Sequence, residues 1–144
     1  MKHYVLGFLF TSNCDKVLLV KKNKPKWMKD RWNGIGGKVE EKETPMEAMK
    51  RETLEEVGMH YVWEQRGTFI HPGGTVFVFA SVVEGSSISY RQLEEEELRG
   101  FFLDELPKTV MKNLKYLIPL CLSTVKDFML NQVSYGTGDT TVDG

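Results

Sequence analysis

Three glutamates, Glu52, Glu55 and Glu56, lie close together in the segment RETLEEVG. Their spacing is i, i+3 and i+4, so a helix would place all three carboxylates on one face. Clustered carboxylates repel one another and oppose the dipole at the C-terminal end of a helix. A divalent cation would relieve both effects, and an all-oxygen donor set favours Mg²⁺, with Mn²⁺ as an alternative. The competing interpretation is a solvated acidic face paired with lysines, which is the usual role of an isolated ExxEE sequence.

The helix that would carry these glutamates has clear start and stop signals. Thr44 is suited to the N-cap, Pro45 to the first helical position and Glu47 to the third, which completes a capping box. The helix should run to about Val57, because Gly58 can adopt the left-handed conformation that ends a helix. The predicted packing face consists of Met46, Met49, Lys50, Thr53, Leu54 and Val57.

Runs of β-branched and aromatic residues predict strands on both sides of this helix. Ser12–Asp15 supplies turn residues between the first two strands, which should form a hairpin, and His71-Pro72-Gly73-Gly74 predicts another turn. The run from Thr75 to Val83 is the candidate for a central strand. The predicted strands are Tyr4–Thr11, Lys16–Val20, Tyr61–Ile70, Thr75–Val83 and Gly100–Leu103.

The remaining segments predict loops and a second helix. Lys21–Arg31 is basic and contains a proline, so it should be a loop, and Trp32–Gly37 is too rich in glycine for a regular strand interior. Lys108–Asn131 predicts a C-terminal helix, interrupted near Pro119. Residues 134–144 are small and polar and should form a flexible tail.

The composition is that of one globular domain. The chain has 144 residues, a formal net charge of −1 and two cysteines, so neither a disulfide framework nor a global attraction to nucleic acid or membrane is indicated. No secretory signal or membrane-spanning run is evident, which predicts a cytoplasmic protein. We expect residues 1–133 to form a single domain.

The glutamates belong to a longer spaced pattern that resembles the Nudix box, the signature of the Nudix hydrolases, and covers Gly37 to Met59. The resemblance implies an α+β fold, an α/β/α sandwich with a mixed β-sheet, a catalytic loop–helix–loop and a C-terminal helix. Thr53 stands where the family usually has an aliphatic residue, which predicts a slightly loosened packing position. The spaced residues are Gly37, Glu43, Arg51, Glu52, Glu55, Glu56 and Gly58.

The resemblance also implies a reaction, in which water attacks a phosphorus atom of a nucleoside diphosphate linked to another group. Mg²⁺ would be bound by the box glutamates and the carbonyl of Gly36. Glu52 or a nearby glutamate would act as the base, and Arg51 would orient the glutamates together with Glu43. A loop outside the box commonly supplies one more glutamate for catalysis and metal binding. Glu95 is the best candidate here, with Glu94 and Glu96 as alternatives.

The stretch RWNGIGGKV resembles the Nudix branch that hydrolyses oxidised purine nucleoside triphosphates. In that branch an aromatic residue at the position of Trp27 lines the base pocket, and an amide at the position of Asn33 bonds the purine edge. Lys38 is a candidate phosphate contact, and Gly37 allows a close approach of the backbone. The segment Met111–Leu114 departs from the branch, because it has neither the tryptophan nor the paired aspartates found there.

The sequence therefore predicts a Mg²⁺-dependent pyrophosphohydrolase that converts a nucleoside triphosphate, such as 8-oxo-dGTP or another noncanonical purine nucleotide, to a monophosphate and pyrophosphate. The alternatives are hydrolysis of ADP-ribose or a dinucleoside polyphosphate, and removal of an RNA 5′ end guided by the basic loop Lys21–Arg31. A noncatalytic nucleotide-binding module is disfavoured because all three box glutamates are present. The sequence does not decide between a monomer and a homodimer.

Overall fold

The structure is a computed structural model that describes residues 2–132, so the predicted tail lies outside the described residues. Within this range no helix is both long and apolar enough to cross a bilayer. The strands of this range are β1 (His3–Phe10), β2 (Lys16–Lys21), β3 (Trp32–Asn33), β4 (Ile35–Lys38), β5 (Glu64–His71), β6 (Gly74–Val82), β7 (Leu98–Phe102) and β8 (Phe128–Asn131). The helices are α1 (Pro45–Val57) and α2 (Leu114–Leu122), with short 3₁₀ turns at Lys26–Met28 and Leu103–Glu105.

One mixed sheet connects all the strands, in the order β3-β2-β1-β6-β5-β8, with β4 also paired to β1 and β7 to β2. β1 runs parallel to β6, and β8 runs parallel to β5. β6 lies between β1 and β5, so the prediction of a central strand is confirmed, as is the β1–β2 hairpin. β5 begins at Glu64, later than the predicted Tyr61.

The sheet buries an apolar core on each face. Along β1, Phe8 and Phe10 enter the core that contains α2, whereas Leu9 enters the core that contains α1. β2 alternates in the same way, as expected for a strand buried on both faces. We call these the α2-side core and the α1-side core. The two helices cover opposite faces of the sheet, which confirms the predicted α/β/α sandwich.

The ends of α1 agree with the sequence prediction. The Thr44 hydroxyl accepts a hydrogen bond from the Glu47 backbone N–H at 3.1 Å, and the Glu47 carboxylate accepts one from the Thr44 N–H at 2.9 Å. Gly58 ends the helix with a φ of 72°, where a side chain would be strained.

The buried face of α1 differs from the predicted one. Lys50 and Leu54 are exposed, and Ala48 and Glu56 are buried instead. α1 packs on β4, where Gly36 and Gly37 have no side chains, so there is room for a carboxylate between helix and strand. A prediction based on apolarity alone does not find a buried glutamate.

The expectation that Thr53 loosens the packing is wrong. Thr53 is fully buried, its hydroxyl donates to the Met49 carbonyl at 2.6 Å, and the same oxygen accepts a hydrogen bond from Trp63 Nε1 at 3.0 Å. The hydroxyl therefore has a specific partner that an aliphatic side chain would leave unpaired.

The interpretation of Trp32–Gly37 as non-strand is also wrong, because β3 and β4 lie there. β4 pairs antiparallel with β1, with Gly36 opposite Leu6 and Gly37 opposite Val5. A Cβ on Gly36 would collide with the Val5 carbonyl. The glycines thus mark a close approach of two strands rather than an irregular loop.

The predicted C-terminal helix is wrong over much of its length. α2 begins only at Leu114, continues through Pro119 without interruption and ends before Ser123, and the chain then forms β8. Arg66 from β5 stabilises the turn between α2 and β8, since its Nη2 donates hydrogen bonds to the Ser123 and Val125 carbonyls, each at 2.8 Å. The contact is distant in sequence, so no local pattern predicts it.

Candidate active site

The three box glutamates lie at different depths on α1. Glu56 is 7% exposed, whereas the side chain of Glu55 is 51% exposed. Glu52 is largely buried beside Arg51. Glu52 and Glu56 therefore face β4, and Glu55 lies at the rim.

Glu56 is the most deeply buried of these carboxyl groups. The backbone N–H of Gly36 donates to its Oε2 at 3.1 Å, and the Lys22 ammonium lies 3.8 Å from its Oε1. Burial raises the pKa of Glu56 to about 8, against the lowering effect of Lys22. Burial therefore disfavours the ionised form of Glu56, and a nearby cation such as the Lys22 ammonium or a metal ion favours it.

Arg51 connects the loop before α1 to the glutamates. Its guanidinium donates to both carboxylate oxygens of Glu43, at 2.7 and 2.9 Å, and to the Lys38 carbonyl at 2.9 Å. The same group donates to Glu52 at 2.8 Å and to Glu55 at 3.4 Å. The structure thus brings together the residues that the sequence grouped around Arg51, and the bidentate pair with Glu43 fixes its orientation.

Gly37 sets the distance between β4 and Glu52. A Cβ at Gly37 would lie 2.5 Å from Glu52 Oε1. Burial raises the pKa of Glu52, and the Arg51 hydrogen bond opposes that shift. The carboxylate therefore lies directly against a glycine backbone, with Arg51 on its other side.

Glu96, and not Glu95, reaches this region. Glu96 Oε1 lies 3.3 Å from the Lys22 ammonium, and its Oε2 accepts a hydrogen bond from the Asn23 backbone N–H. Glu94 and Glu95 are exposed. Gln92 donates to the carbonyls of Glu94 and Glu96 and so holds the loop in this shape. Sequence alone, which favours Glu95, does not indicate which of the three adjacent glutamates turns inward.

Lys22 was missed as a site residue because the sequence assigned it to a basic loop. It follows the last residue of β2, and the alternation of that strand turns it to the same side as Leu18 and Val20, which enter the α1-side core. The alternation of buried residues along β2 is therefore the sequence signal that could have placed Lys22 in the site.

A cleft of about 760 Å³ extends from Gly36 and Gly37 across the edge of the sheet. Every residue predicted to bind substrate lines it, namely Trp27, Asn33, Gly37 and Lys38. Trp27 is mostly exposed and lies at the mouth. The cleft has the size and mixed lining of a small-molecule site.

Two amides line this cleft. The Asn33 Oδ1 accepts a hydrogen bond from the Gly34 N–H at 2.9 Å, and no described residue accepts one from the Asn33 NH₂ group. Asn113 is 5% exposed, and its Oδ1 has no hydrogen-bond partner among the described residues. Although Asn113 precedes α2, its side chain does not cap the helix. The wall of the cleft therefore contains an amide NH₂ group and an unpartnered amide oxygen.

His71, which the sequence analysis places only in a predicted turn, forms part of the cleft wall. Its Nδ1 accepts a hydrogen bond from the Gly73 N–H at 3.0 Å, and burial lowers its pKa. The ring is stacked with Tyr4 at 6.4 Å between centroids and tilted against Phe69 at 5.6 Å. A neutral aromatic wall of this kind suits a flat ligand.

The oxygen donors fit a hard divalent cation. Among residues 2–132 no group of three or more Asp, Glu, His or Cys side chains is arranged to hold a metal ion. The site carboxylates are paired instead with Arg51 and Lys22. Glu56 is buried and needs a positive partner, and with Glu52, Glu96 and the Gly36 backbone it would give the all-oxygen set that Mg²⁺ and Mn²⁺ accept.

The fold and the helix-borne carboxylates define a class of protein, and comparison with known proteins identifies it. A family model for the NUDIX domain matches residues 1–121. The chain therefore belongs to the Nudix family, as the spaced glutamates predicted.

One relative and two solved structures of similar fold illustrate how far the similarity extends. The chain is 34% identical over 104 residues to an oxidized purine nucleoside triphosphate hydrolase of Mus musculus, which is 67% of this chain and 65% of that relative. Its fold is similar to that of the mutator MutT protein from Bacillus halodurans, with a TM-score of 0.70 at 21% identity, over 98% of this chain and 95% of that one. It is also similar to the NUDIX domain of NrtR from Shewanella oneidensis, solved with ADP ribose, with a TM-score of 0.56 at 19% identity, over 71% and 73% of the two chains.

Proposed function

We propose that the chain is a Mg²⁺-dependent pyrophosphohydrolase that cleaves a purine nucleoside triphosphate, of which 8-oxo-dGTP is the first candidate, to a monophosphate and pyrophosphate. The observation that carries this proposal is the cleft itself. The cleft is lined by Gly36 and Gly37, which contact Glu56 and Glu52. The same cleft is also lined by the two buried amides, Asn33 and Asn113.

The carboxylate end supports hydrolysis of a phosphoanhydride. A bound divalent cation would neutralise phosphate oxygens and increase the acidity of a water molecule. Arg51 holds Glu52 in one orientation through a 2.8 Å hydrogen bond, so Glu52 can accept the proton of the attacking water. Lys38 and Lys22 line the cleft and add positive charge for a polyphosphate chain.

The amide end supports recognition of a purine. The Asn33 NH₂ group can donate to a ring carbonyl, and the unpartnered Asn113 Oδ1 can accept from a ring N–H. A 6-oxopurine has both groups on one edge. Trp27 and the His71 wall supply flat surfaces for the ring. The relationship to the mouse enzyme favours an oxidised purine.

Hydrolysis of ADP-ribose is the second candidate, since a NUDIX domain of similar fold was solved with ADP ribose. That similarity supports binding of a nucleotide-like ligand, but it does not support hydrolysis of ADP-ribose in particular. The intact set of glutamates, held by Arg51, favours an enzyme over a binding module.

A product screen with Mg²⁺ tests the proposal. The substrates are 8-oxo-dGTP, dGTP, the other dNTPs, ADP-ribose, a diadenosine polyphosphate and 5′-triphosphate RNA, with products separated by ion-exchange chromatography. We expect the highest kcat/KM with a purine triphosphate and release of pyrophosphate. Glu56→Gln, checked for folding by circular dichroism, should remove most turnover.

Faster turnover of ADP-ribose or RNA than of any triphosphate would replace the proposed substrate. Full activity of Glu56→Gln would contradict the proposed catalytic centre, and absence of turnover with every compound would favour a binding module.

A further inference from the structure

Lys22 occupies a position in the site that substrate binding alone does not explain. It lies directly after β2 and on the side of Leu18 and Val20, which pack against α1. Its side chain is only 14% exposed. Burying a lysine to this degree is costly unless its ammonium has charged partners.

Those partners are two carboxylates from separate parts of the chain. The Lys22 ammonium lies 3.3 Å from Glu96 Oε1, in the loop before β7, and 3.8 Å from Glu56 Oε1, on α1. Ionised carboxylates that lie close together in one largely enclosed site repel each other, and a cation between them reduces that repulsion. Lys22 therefore supplies, from within the chain, the charge that a metal ion would supply.

We propose that Lys22 is an internal counter-ion of Glu56 and Glu96 which a divalent cation must displace. The inference rests on the proposed function, because it assumes that these carboxylates bind the metal. An ammonium group and a divalent cation repel each other, and both use the same carboxylate oxygens. The lysine stem is long and flexible, and Lys22 also lines the cleft. The displaced ammonium can thus turn from the carboxylates to the phosphates of a nucleotide.

This exchange couples the two ligands. Without a nucleotide, the metal competes with Lys22, so its affinity is lower than the carboxylates alone would give. With a nucleotide present, the displaced ammonium has a new anionic partner, so metal and nucleotide favour each other's binding. A lysine that only braced the fold would not produce this pattern.

The test measures metal affinity, by isothermal titration of Mg²⁺ or Mn²⁺ into the protein without nucleotide at fixed pH and ionic strength. Lys22→Met and Lys22→Gln remove the charge, and Lys22→Arg retains it. The matched control is Lys21→Met, the adjacent residue on the opposite side of the strand. We expect both neutral variants to bind metal about tenfold more tightly than wild type, a change typical of coupled ligands, and the arginine and Lys21 variants to match wild type.

Thermal unfolding gives a second readout. The neutral variants should melt at a lower temperature than wild type in EDTA and gain more from Mg²⁺ than wild type does. A neutral variant that folds only with Mg²⁺ supports the same conclusion.

Unchanged or weaker metal affinity in a folded neutral variant overturns the role of Lys22 while leaving the proposed function intact. If Lys22→Met does not fold even with Mg²⁺, the titration of Lys22→Gln decides. Absence of metal binding in wild type and in every variant would instead overturn the metal site of the proposed function, and this inference with it.

Discussion

The hydroxyl of Thr53 stabilises the helix that carries the glutamates. Its removal by Thr53→Val keeps the shape of the side chain but leaves the buried Trp63 Nε1–H without its acceptor. We expect the free energy of unfolding to fall by about 1–3 kcal/mol, the usual cost of an unpaired buried polar group. Urea denaturation measures the change, and Thr53→Ser, which keeps the hydroxyl, is the control. A valine variant as stable as wild type would mean that the tryptophan finds another partner.

Asn113 offers a second test at the scale of one residue. Asn113→Leu removes an unpartnered amide oxygen from a residue that lines the cleft, so kcat/KM for purine triphosphates should fall about tenfold, as expected when a neutral hydrogen bond to the proposed substrate is lost. Pyrimidine triphosphates and simple diphosphates should change much less. Asn33→Ala should show the same selectivity. An equal loss for every base would contradict the assignment of a base pocket.

The packing of α1 on β4 positions Glu52, and a single methyl group should disturb it. In Gly37→Ala the new Cβ would lie 2.5 Å from Glu52 Oε1, so the carboxylate must move. We expect kcat to fall by about 100-fold, the scale seen when a catalytic group is misplaced by about 1 Å, with circular dichroism unchanged. Gly100→Ala is the matched control, because a Cβ there meets no atom within 4 Å. Similar activity of both variants would show that Glu52 is not placed by this contact.

The sequence predicts some elements of the fold better than others. Elements stabilised by local contacts are predicted well, and elements that depend on contacts distant in sequence are not. α1 was predicted almost to the residue, because a capping box and a C-terminal glycine act within one turn. β4 and β8 were missed, since their strand pairing with β1 and β5 is non-local. The residues of the candidate site also differ in whether local sequence predicts them. The glutamates of α1 follow from helical spacing, whereas Glu96 and Lys22 meet only through the folded chain.

Across the whole molecule, both faces of the sheet contribute to the cleft. On the side of α1, Gly36 and Gly37 line the cleft and contact Glu56 and Glu52, and on the other side Asn113 lines it just before α2. α2 is held by the α2-side core and by the Arg66 contacts at its C-terminal end. The position of Asn113, the amide proposed to recognise the base, thus depends on packing far from the carboxylates, and loosening α2 should impair substrate selection before it impairs metal binding.

The reactivity of Cys121 can be used to measure how firmly α2 packs on the sheet. It is buried in the α2-side core, and burial raises the pKa of its thiol to about 12, so at pH 8 it remains a protonated, unreactive thiol. In a Cys14→Ser variant, which leaves Cys121 as the single cysteine, alkylation by iodoacetamide should require opening of the core. The labelling rate should be far below that of the urea-unfolded chain and should increase with urea in step with unfolding. Addition of a nucleotide with Mg²⁺ should slow it further if the cleft binds them, because a ligand of the native state disfavours opening. Labelling of the native protein as fast as of the unfolded chain would show that α2 is not held by this core.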